Sequence, residues 1–558
     1  MTRALFCLLA LLATLPAQAA SAAPARPNII VIVADDLGFS DLGAFGGEIE
    51  TPNLDRLANQ GLRLTEFHTA AACSPTRAML MSGTDNHRAG LGNMIELRSP
   101  DQAGQPGYEG YLSKRVVSLP ELLRDAGYET LMSGKWHLGV EPDQDPFRRG
   151  FERTFASLPA GNNHFGKTAS LAKSAEMQKV TQFSYTENGK PVGALPADYY
   201  SSDYFTDRLL GFLRANEGKR TRPFFAYLPF TAPHWPLQAP ASIIDKYKGR
   251  YDGGWEQLRR DRLARQQKLG VLPANAQLDA PGTIADWDKL TPEQQRYAAR
   301  EMEVYAAMID RMDWNIGRLV DYLRQTGELD NTFIVFFSDN GAEGGVAARE
   351  IEKVAGVKIP KTPYAKIGDA DSINSLGPNW AQAISAPRRL YKSNSTEGGI
   401  LVSAIVHYPP SARQGRIDRS FVTVMDVMPT LLDLAGTRHP GRSYQGREVE
   451  PMQGVSMLPF LLGKSDRVHA PEEAVGWELF GQRAVRQGDW KIAWVSKPNG
   501  SGQWALYDLS KDPGERHDLA KQQPERYTAM LKLWDDYAKR NRIIPHEHLV
   551  SPYNEPVN

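Results

Sequence analysis

Cysteine is nearly absent from this sequence: its 558 residues include two, Cys7 and Cys73. Cys7 lies in an N-terminal segment where Arg3 precedes an apolar run and residues 17–19 (Ala-Gln-Ala) form a small-x-small cleavage site. This pattern predicts a secretory signal peptide at residues 1–19 and export to the periplasm or the medium. The mature chain would keep one thiol, Cys73, and could form no internal disulfide, although its compartment would allow one.

The sequence also lacks an excess of charge of one sign. Lysine plus arginine and aspartate plus glutamate number 65 each, which gives no reason to expect nucleic-acid or anionic-lipid partners. Beyond the leader, no apolar run reaches the ~20 residues that a membrane-spanning helix needs. We expect a monomer without a membrane span, and the length favours two domains over a single core.

Two continuous β-branched and aromatic runs, within residues 27–38 and 331–341, are typical of strands buried on both faces, as in a parallel sheet. Helical spacing of apolar residues predicts a helix over 301–323, and a helix followed by a buried strand is half of a βαβ unit. Further strands are predicted at 223–229 and 402–408, and a further helix at 425–434. We therefore expect residues 20–440 to form one α/β catalytic domain.

Polar inserts rich in glycine and proline interrupt this domain near residues 155–200, 240–300 and 342–390, and we expect them to form pocket walls. After about residue 440 the pattern changes to short aromatic segments separated by turn residues, followed by a helix at about 524–540. We expect residues 441–558 to form a smaller α+β domain with an antiparallel sheet.

Polar residues follow the predicted strands. Asp35 and Asp36 end the first run, Asp339 and Asn340 end the second, and His234 follows a third strand. Sites in open α/β sheets form at the carboxyl ends of strands, and adjacent carboxylates repel one another unless a cation is present. Either motif alone would be interpreted as an ordinary turn, but together they predict a metal site. Oxygen ligands favour Ca²⁺ or Mg²⁺ over zinc.

Cys73 has three interpretations. A lone cysteine is usually a small core hydrophobe. As a thiol nucleophile, Cys73 followed by Arg77 superficially resembles the cysteine phosphatases, but those have five residues between the two and this chain has three. Finally, Pro75 near a predicted helix start would aim residue 73 at a fixed point, where the helix N-terminus favours a bound anion.

The stretch Cys73-Ser-Pro-Thr-Arg77, continuing to Gly83, resembles the signature of the type I sulfatases. In that family Cys-x-Pro-x-Arg precedes Leu-Thr-Gly, and the cysteine is oxidised to formylglycine (3-oxoalanine). Met81 and Ser82 replace the usual Leu-Thr and lie outside the five-residue recognition core.

Segments 127–137 and 506–519 match further family elements, so the resemblance extends from residue 28 to residue 519 and is strongest to bacterial arylsulfatases. It implies an alkaline phosphatase-like fold, with a large mixed, mostly parallel central sheet flanked by helices. It also implies hydrolysis of sulfate monoesters, one bound Ca²⁺, and a formylglycine-generating enzyme as a partner during maturation.

The resemblance assigns roles by position. Asp35, Asp36, Asp339 and Asn340 correspond to the calcium ligands, in agreement with the metal site that the strand ends predict. Cys73, as formylglycine, would supply the nucleophile.

Five further positions correspond to catalytic side chains of the family. Arg77 would neutralise charge beside the nucleophile, and Lys135 and Lys392 would bind sulfate, although the spacing from Lys392 to the following glycines varies among members. His137 would hydrogen-bond the formylglycine, and in an extended chain its side chain would share a face with that of Lys135. His234 would lie near the leaving oxygen. Without the resemblance, the lysines would be interpreted as surface groups.

The implied reaction begins with attack on sulfur by one hydroxyl of the hydrated aldehyde, with Asp339 as base. His234, helped by Lys392, would protonate the leaving group. His137 would then take a proton from the second hydroxyl, which expels sulfate from a formylglycine-sulfate intermediate.

Two other functions remain open from the sequence: a phosphonate monoester or phosphodiester hydrolase with the same site, and a non-catalytic binder of sulfated ligands. Asn163 and His164 either line the pocket or belong to a plain loop, and His87 is interpreted as structural.

Overall fold

The structure, a computed structural model, describes residues 26–167, 185–278, 285–349, 352 and 358–544. The predicted signal peptide lies outside these ranges. The described α-helices are α1 (Pro52–Gln60), α2 (Cys73–Ser82), α3 (Asn86–Ala89), α4 (Leu119–Asp125), α5 (Ser201–Arg214), α6 (Ala241–Ile244), α7 (Gly254–Leu269), α8 (Pro292–Gln325), α9 (Gly377–Ile384), α10 (Glu397–Ile400), α11 (Val427–Leu434), α12 (Leu458–Leu461) and α13 (Pro524–Asn541). Among these described helices, none combines the length and apolar composition needed to cross a membrane.

A large central sheet organises the main body. Its strands are β1 (Asn28–Ala34), β2 (Leu62–His68), β3 (Glu129–Lys135), β4 (Arg153–Ser157), β5 (Tyr185–Glu187), β6 (Lys190–Pro191), β7 (Phe224–Pro229), β8 (Thr332–Ser338), β9 (Leu401–His407), β10 (Arg416–Asp418) and β11 (Val422–Thr423). Their order is β10-β2-β9-β8-β1-β7-β3-β4-β5-β6, with β11 also paired to β2. β9 is antiparallel to both neighbours, and β4, β5 and β6 pair antiparallel at the far edge. The remaining described pairs are parallel, so the predicted mixed, mostly parallel sheet is confirmed.

Both faces of the central sheet are covered by apolar cores. Alternate residues of β1 enter different cores: Ile30 and Ile32 join one, and Ile29 and Val31 join the other. Strands covered in this way have no solvent face, which explains why β1 and β8 are apolar along nearly their whole length.

Helix α8 is longer than the pattern over 301–323 predicts. It begins at Pro292, where Thr291 and Gln294 form a capping box. The helix therefore starts inside the insert predicted near 240–300, which also contains α7.

A second, antiparallel sheet follows in the order β14 (Ala474–Leu479), β15 (Gln482–Gln487), β16 (Trp490–Trp494) and β17 (Trp504–Asp508). One face packs against α13 through residues such as Val485 and Trp534. The other face packs against the main body, where Trp477 shares a core with Ala72, directly before Cys73. The predicted C-terminal antiparallel sheet is confirmed, and it abuts the signature segment.

The segment between the two sheets belongs to the main-body core. It contains a short hairpin of β12 (Ser443–Tyr444) and β13 (Arg447–Glu448), and its side chains Tyr444 and Phe460 join the core that contains Val31. The domain boundary near residue 440 stays a prediction.

Candidate active site

The carboxyl ends of β1 and β8 bring the two predicted acidic pairs together. The strands are parallel, with Ala34 opposite Ser338, so Asp35 and Asp339 follow at the same edge of the sheet. Asp36 adopts a left-handed conformation with φ of 68°, and its backbone N–H donates to Asp339 Oδ1 (3.3 Å). All three carboxylates are fully buried or nearly so.

Asp35, Asp36, Asp339 and Asn340 form an acidic cluster whose oxygens fit a hard cation. Asp35 Oδ1 and Asn340 Oδ1 are buried and accept no hydrogen bond from any residue that the structure describes. The amide nitrogen of Asn340 donates to Asp36 Oδ1 (2.5 Å), which places this side chain against the carboxylates. Buried oxygens without donors are costly unless a cation binds them. The chemistry of Asp35, Asp36, Asp339 and Asn340 therefore suits a metal ion with oxygen ligands.

Cys73 is the first residue of α2, where the sequence predicts a helix start. Its Sγ donates to Asp36 Oδ1 (3.6 Å), and one ligand atom each from Asp35, Asp36, Cys73 and His234 lie within 4.8 Å of one another. Burial raises the pKa of the Cys73 thiol well above its ordinary value, and the charge of Asp339 raises it further. A thiol that resists ionisation is a poor nucleophile, which argues against the cysteine-phosphatase interpretation.

Two buried cations hold the acidic cluster from the side of α2 and β3. Arg77 lies one helical turn after Cys73, and its Nε and Nη2 donate to Asp339 Oδ2 (2.9 and 2.7 Å). Lys135 ends β3, and its Nζ donates to Asp35 Oδ2 (2.7 Å). Burial alone would lower the pKa of Lys135, but the carboxylates of Asp35 and Asp339 contribute to a net rise.

Lys392 reaches the cluster through a different carboxylate. Its Nζ lies 2.9 Å from Asp36 Oδ2 and 2.8 Å from Glu343 Oε2. Burial alone would raise the pKa of Asp36, but Lys392 and His234, with Lys135, hold it well below its ordinary value. Glu343 is a site residue that the sequence analysis missed, although its position three residues after Asn340 was the available signal.

His234 lies in the segment that follows β7, with Nε2 3.6 Å from Asp36 Oδ2. Its Nδ1 lies 2.6 Å from the Trp235 carbonyl oxygen. This contact assigns the ring proton to Nδ1 and leaves Nε2 directed at the cluster. Burial lowers the pKa of His234 well below its ordinary value, although the Asp36 carboxylate opposes this.

His137 is not in extended backbone, so the condition under which its side chain would share a strand face with that of Lys135 is not met. Strand β3 ends at Lys135, and His137 has φ of 56°. Its Nε2 lies 3.3 Å from Glu96 Oε1, and its buried Nδ1 makes no hydrogen bond with any described residue. Burial and the charge of Lys135 lower the pKa of His137. Its predicted hydrogen bond to the formylglycine stays a prediction.

The weaker candidates divide between the site and the rest of the fold. His164 Nε2 lies 3.0 Å from the His234 carbonyl oxygen, and burial lowers the pKa of His164 to about 4. His164 therefore supports the loop that carries His234. Asn163 Nδ2 donates to the Ala370 carbonyl (2.6 Å), which joins two of the inserts. His87 lies in a different buried cluster and contacts Asp85, in keeping with its structural interpretation.

Comparison with known proteins identifies the family. The Sulfatase family model matches residues 27–437, and the model described as N-sulphoglucosamine sulphohydrolase, C-terminal, matches residues 389–540. The chain is 49% identical over 529 residues to an uncharacterized sulfatase of Schizosaccharomyces pombe, covering 93% of this chain and 94% of that protein. It is 41% identical over 433 residues to an arylsulfatase of Klebsiella aerogenes, covering 77% of this chain and 91% of that protein.

The fold is shared with solved structures of low sequence identity. The crystal structure of Ps i-CgsB in complex with k-i-k-neocarrahexaose superposes with a TM-score of 0.66 at 24% identity, covering 93% of this chain and 94% of that chain.

The fold and the site together define a hydrolase with an acidic, metal-type centre at the carboxyl edge of a mixed α/β sheet. The chain belongs to the sulfatase family, and its activity is the hydrolysis of sulfuric esters.

Proposed function

We propose that this sulfatase is an arylsulfatase that uses a formylglycine derived from Cys73. The observation that carries the proposal is the convergence of three buried cations, Arg77, Lys135 and Lys392, on the acidic cluster beside Cys73. The aryl preference is supported by the similarity to the Klebsiella aerogenes arylsulfatase.

The charge balance of the site supports an anionic substrate. The buried carboxylates are Asp35, Asp36, Asp339 and Glu343, and the buried cations are Arg77, Lys135 and Lys392. When all seven are ionised, the site carries one net negative charge. A divalent cation would change the balance to one positive charge, which is opposite to the charge of a sulfate monoester. The loaded site would thus attract the substrate and stabilise negative charge on its oxygens.

We propose that Asp35, Asp36, Asp339 and Asn340 hold Ca²⁺, which would supply Lewis-acid stabilisation of the developing charge. The aldehyde of formylglycine would supply, on hydration, a hydroxyl nucleophile at position 73. Because Cys73 and the recognition residues that follow it are buried in α2, a formylglycine-generating enzyme would have to act before the chain folds. Export to the periplasm or the medium belongs to the same proposal and is supported by the leader sequence.

The histidines would handle protons on two sides of the scissile bond. A bound sulfate ester would add negative charge near His234, which raises the pKa of its imidazole and allows Nε2 to protonate the leaving oxygen. His137 has an unbonded, buried Nδ1 that could accept a proton during release of sulfate. We assign the role of base to Asp339, whose pKa burial and the charge of Asp35 raise to about 6 in the ion-free protein.

The proposal is tested by comparing kcat/KM for nitrophenyl sulfate, nitrophenyl phosphate esters and N-acetylgalactosamine 6-sulfate. We expect the highest value for nitrophenyl sulfate and a large loss in Lys135→Ala. Lys511→Ala, which removes a lysine that is 82% exposed, is the control. A preference for phosphate esters would favour the phosphodiesterase alternative, and a preference for the sugar sulfate would overturn the aryl assignment.

A further inference from the structure

The loop that carries Lys392, residues 388–397, is attached to the C-terminal sheet region, which comprises β14 to β17 and the residues that follow as far as 515. Arg388 Nη1 donates to the Pro513 carbonyl (3.2 Å). Arg389 Nη1 donates to the Tyr507 hydroxyl (3.2 Å) on β17. Two consecutive arginines, a few residues before Lys392, therefore tie the start of this loop to a different part of the fold.

A buried ion network ties down the other end of the same loop. Lys491 Nζ, on β16, lies 2.6 Å from Glu397 Oε1 and 2.8 Å from Glu515 Oε1. Glu515 Oε2 in turn accepts a hydrogen bond from the Glu397 backbone N–H (2.8 Å). The side chains of Lys491 and Glu515 are fully buried and that of Glu397 is 2% exposed. Glu397 Oε2 also lies 3.0 Å from buried His68 Nε2, so these charges compensate one another away from water.

Between Glu397 and the active site, backbone segments pack so closely that glycine is required at the contacts. A Cβ atom on Gly398 would lie 2.0 Å from the Leu390 carbonyl oxygen, and a Cβ atom on Gly341 would lie 1.9 Å from the Gly398 carbonyl oxygen. Gly341 follows the metal-ligand candidate Asn340, and Leu390 is two residues before Lys392. A shift of Glu397 would therefore displace both the residues that follow β8 and the loop that carries Lys392.

The Lys392 loop has a conformation that needs external support. Leu390 and Ser393 both have positive φ, of 59° and 72°. Non-glycine residues adopt this conformation at a cost and keep it only when surrounding contacts hold it. The contacts of Arg389 and Glu397 with the C-terminal sheet region provide such support.

We propose that Lys491 and Glu515 are positioning residues for Lys392. They hold Glu397, and Glu397 fixes the loop so that the Lys392 ammonium group faces Asp36 and the sulfate position. The inference rests on the proposed function, since it takes Lys392 to be a sulfate-binding residue. It predicts an effect on sulfate binding, because the network acts on the loop that carries Lys392, the proposed sulfate-binding residue.

The test compares Lys491→Met with a matched control, His87→Gln. His87 Nε2 lies 2.9 Å from Glu478 Oε2 on β14, so this control also breaks a buried ion pair between the main body and the C-terminal sheet, away from the Lys392 loop. We expect Lys491→Met to raise KM for nitrophenyl sulfate and the inhibition constant of inorganic sulfate by about 10–100-fold, the scale of a small misplacement in a site. We expect His87→Gln to lower the melting temperature and leave both constants unchanged.

Lys491→Met removes the lysine partner of two buried carboxylates and leaves Glu397 paired with His68 (3.0 Å), and this loss can prevent folding. The variant Lys491→Met/Glu515→Gln, which removes one charge of each sign, is therefore measured beside it, with circular dichroism to confirm folding. Either folded variant should show the raised inhibition constant. A folded variant whose KM and sulfate inhibition constant equal those of the wild type would overturn the positioning role.

A double-mutant cycle with Lys392→Ala separates positioning from general damage. If Lys491 acts through Lys392, Lys491→Met should have little further effect in the Lys392→Ala background. The same fold-loss in both backgrounds would overturn the inference while leaving the proposed function intact. A wild type inactive on all sulfate esters would instead contradict the proposed function, and calorimetric titration of inorganic sulfate into the four proteins would still measure the coupling.

Discussion

Cys73 Sγ lies 3.6 Å from Asp36 Oδ1, so the residue proposed to carry the nucleophile is in direct contact with the acidic cluster. The contact joins the first turn of α2 to the end of β1. Any oxygen nucleophile formed at position 73 would lie within reach of the cation that the cluster suits.

Cys73→Ser is expected to trap a sulfated enzyme. A serine hydroxyl could accept the sulfuryl group, but it lacks the second hydroxyl that the hydrated aldehyde would use to release sulfate. Intact-protein mass spectrometry after incubation with nitrophenyl sulfate should show the added mass of one sulfuryl group and at most one turnover. Cys73→Ala is the control and should gain no mass. Sustained multiple turnover by Cys73→Ser would contradict the mechanism.

Removal of the metal ion should destabilise the protein, because Asp35 and its neighbouring carboxylates would then repel one another in the interior. Restoring Ca²⁺ to the chelated protein at about 100 times its dissociation constant should raise the free energy of unfolding by about 2.7 kcal/mol. Asp35→Asn should reduce this gain. The control is Asp313→Asn, which removes a buried carboxylate that accepts from the Leu54 N–H (2.8 Å) on α1. A melting temperature that does not respond to chelator or Ca²⁺ would refute the metal assignment.

His234→Ala should lower kcat by about 10²–10⁴-fold, the usual contribution of a general acid. The loss should be larger for alkyl sulfates than for nitrophenyl sulfate, because a more basic leaving oxygen depends more on protonation. Since the acid must be protonated, wild-type kcat should fall as pH rises through the pKa of His234 in the substrate complex. This fall of kcat at high pH should be absent from His234→Ala. His517→Ala, whose side chain is 68% exposed, is the control, and equal losses on both substrate types would argue against the role.

His87, which lies outside the active site, should make the free energy of unfolding depend on pH. Burial lowers the pKa of its imidazole, but Asp85 and Glu478 outweigh burial and raise it to about 9. The resulting stabilisation is complete below the ordinary pKa of about 6.5 and is lost as pH rises through about 9.

The size of this effect is about 3 kcal/mol, from the shift of the His87 pKa. Urea unfolding measures it as the difference in free energy of unfolding between the wild type and His87→Gln, at about pH 6 and about pH 10. The first pH lies below the ordinary pKa of about 6.5, near which the histidine of the unfolded chain titrates, and the second lies above the raised pKa of the folded protein. The difference between the two proteins should shrink at the higher pH. A difference that is independent of pH would show that His87 does not titrate as expected.

The acidic cluster could be predicted from the sequence because two strands are recognisable from their composition alone. β1 and β8 are continuous apolar runs, and each ends abruptly in polar residues. Parallel pairing then brings those ends together without any further information. β3 was not recognised, because its sequence Glu-Thr-Leu-Met-Ser-Gly-Lys contains several polar residues although every one of them is buried. Local patterns fail where a strand serves the site as well as the core.

Other parts of the fold and of the site depend on contacts between distant residues. Helix α7 has a polar sequence that suggests an exposed insert, yet Arg262 is fully buried and its Nη1 donates to Asp41 Oδ1 (2.6 Å), 221 positions away. The network of Glu397 with Lys491 is equally non-local. The left-handed backbone at His137 was not indicated by its neighbours, because a positive φ at a non-glycine residue is set by the surrounding fold.

The most direct test of the account is mass spectrometry of the tryptic peptide Leu64–Arg77, which contains Cys73, from active enzyme purified from its native host. We predict that residue 73 carries the aldehyde of formylglycine in the fraction that hydrolyses nitrophenyl sulfate. Full sulfatase activity in protein whose Cys73 remains an unmodified thiol would contradict the central claim.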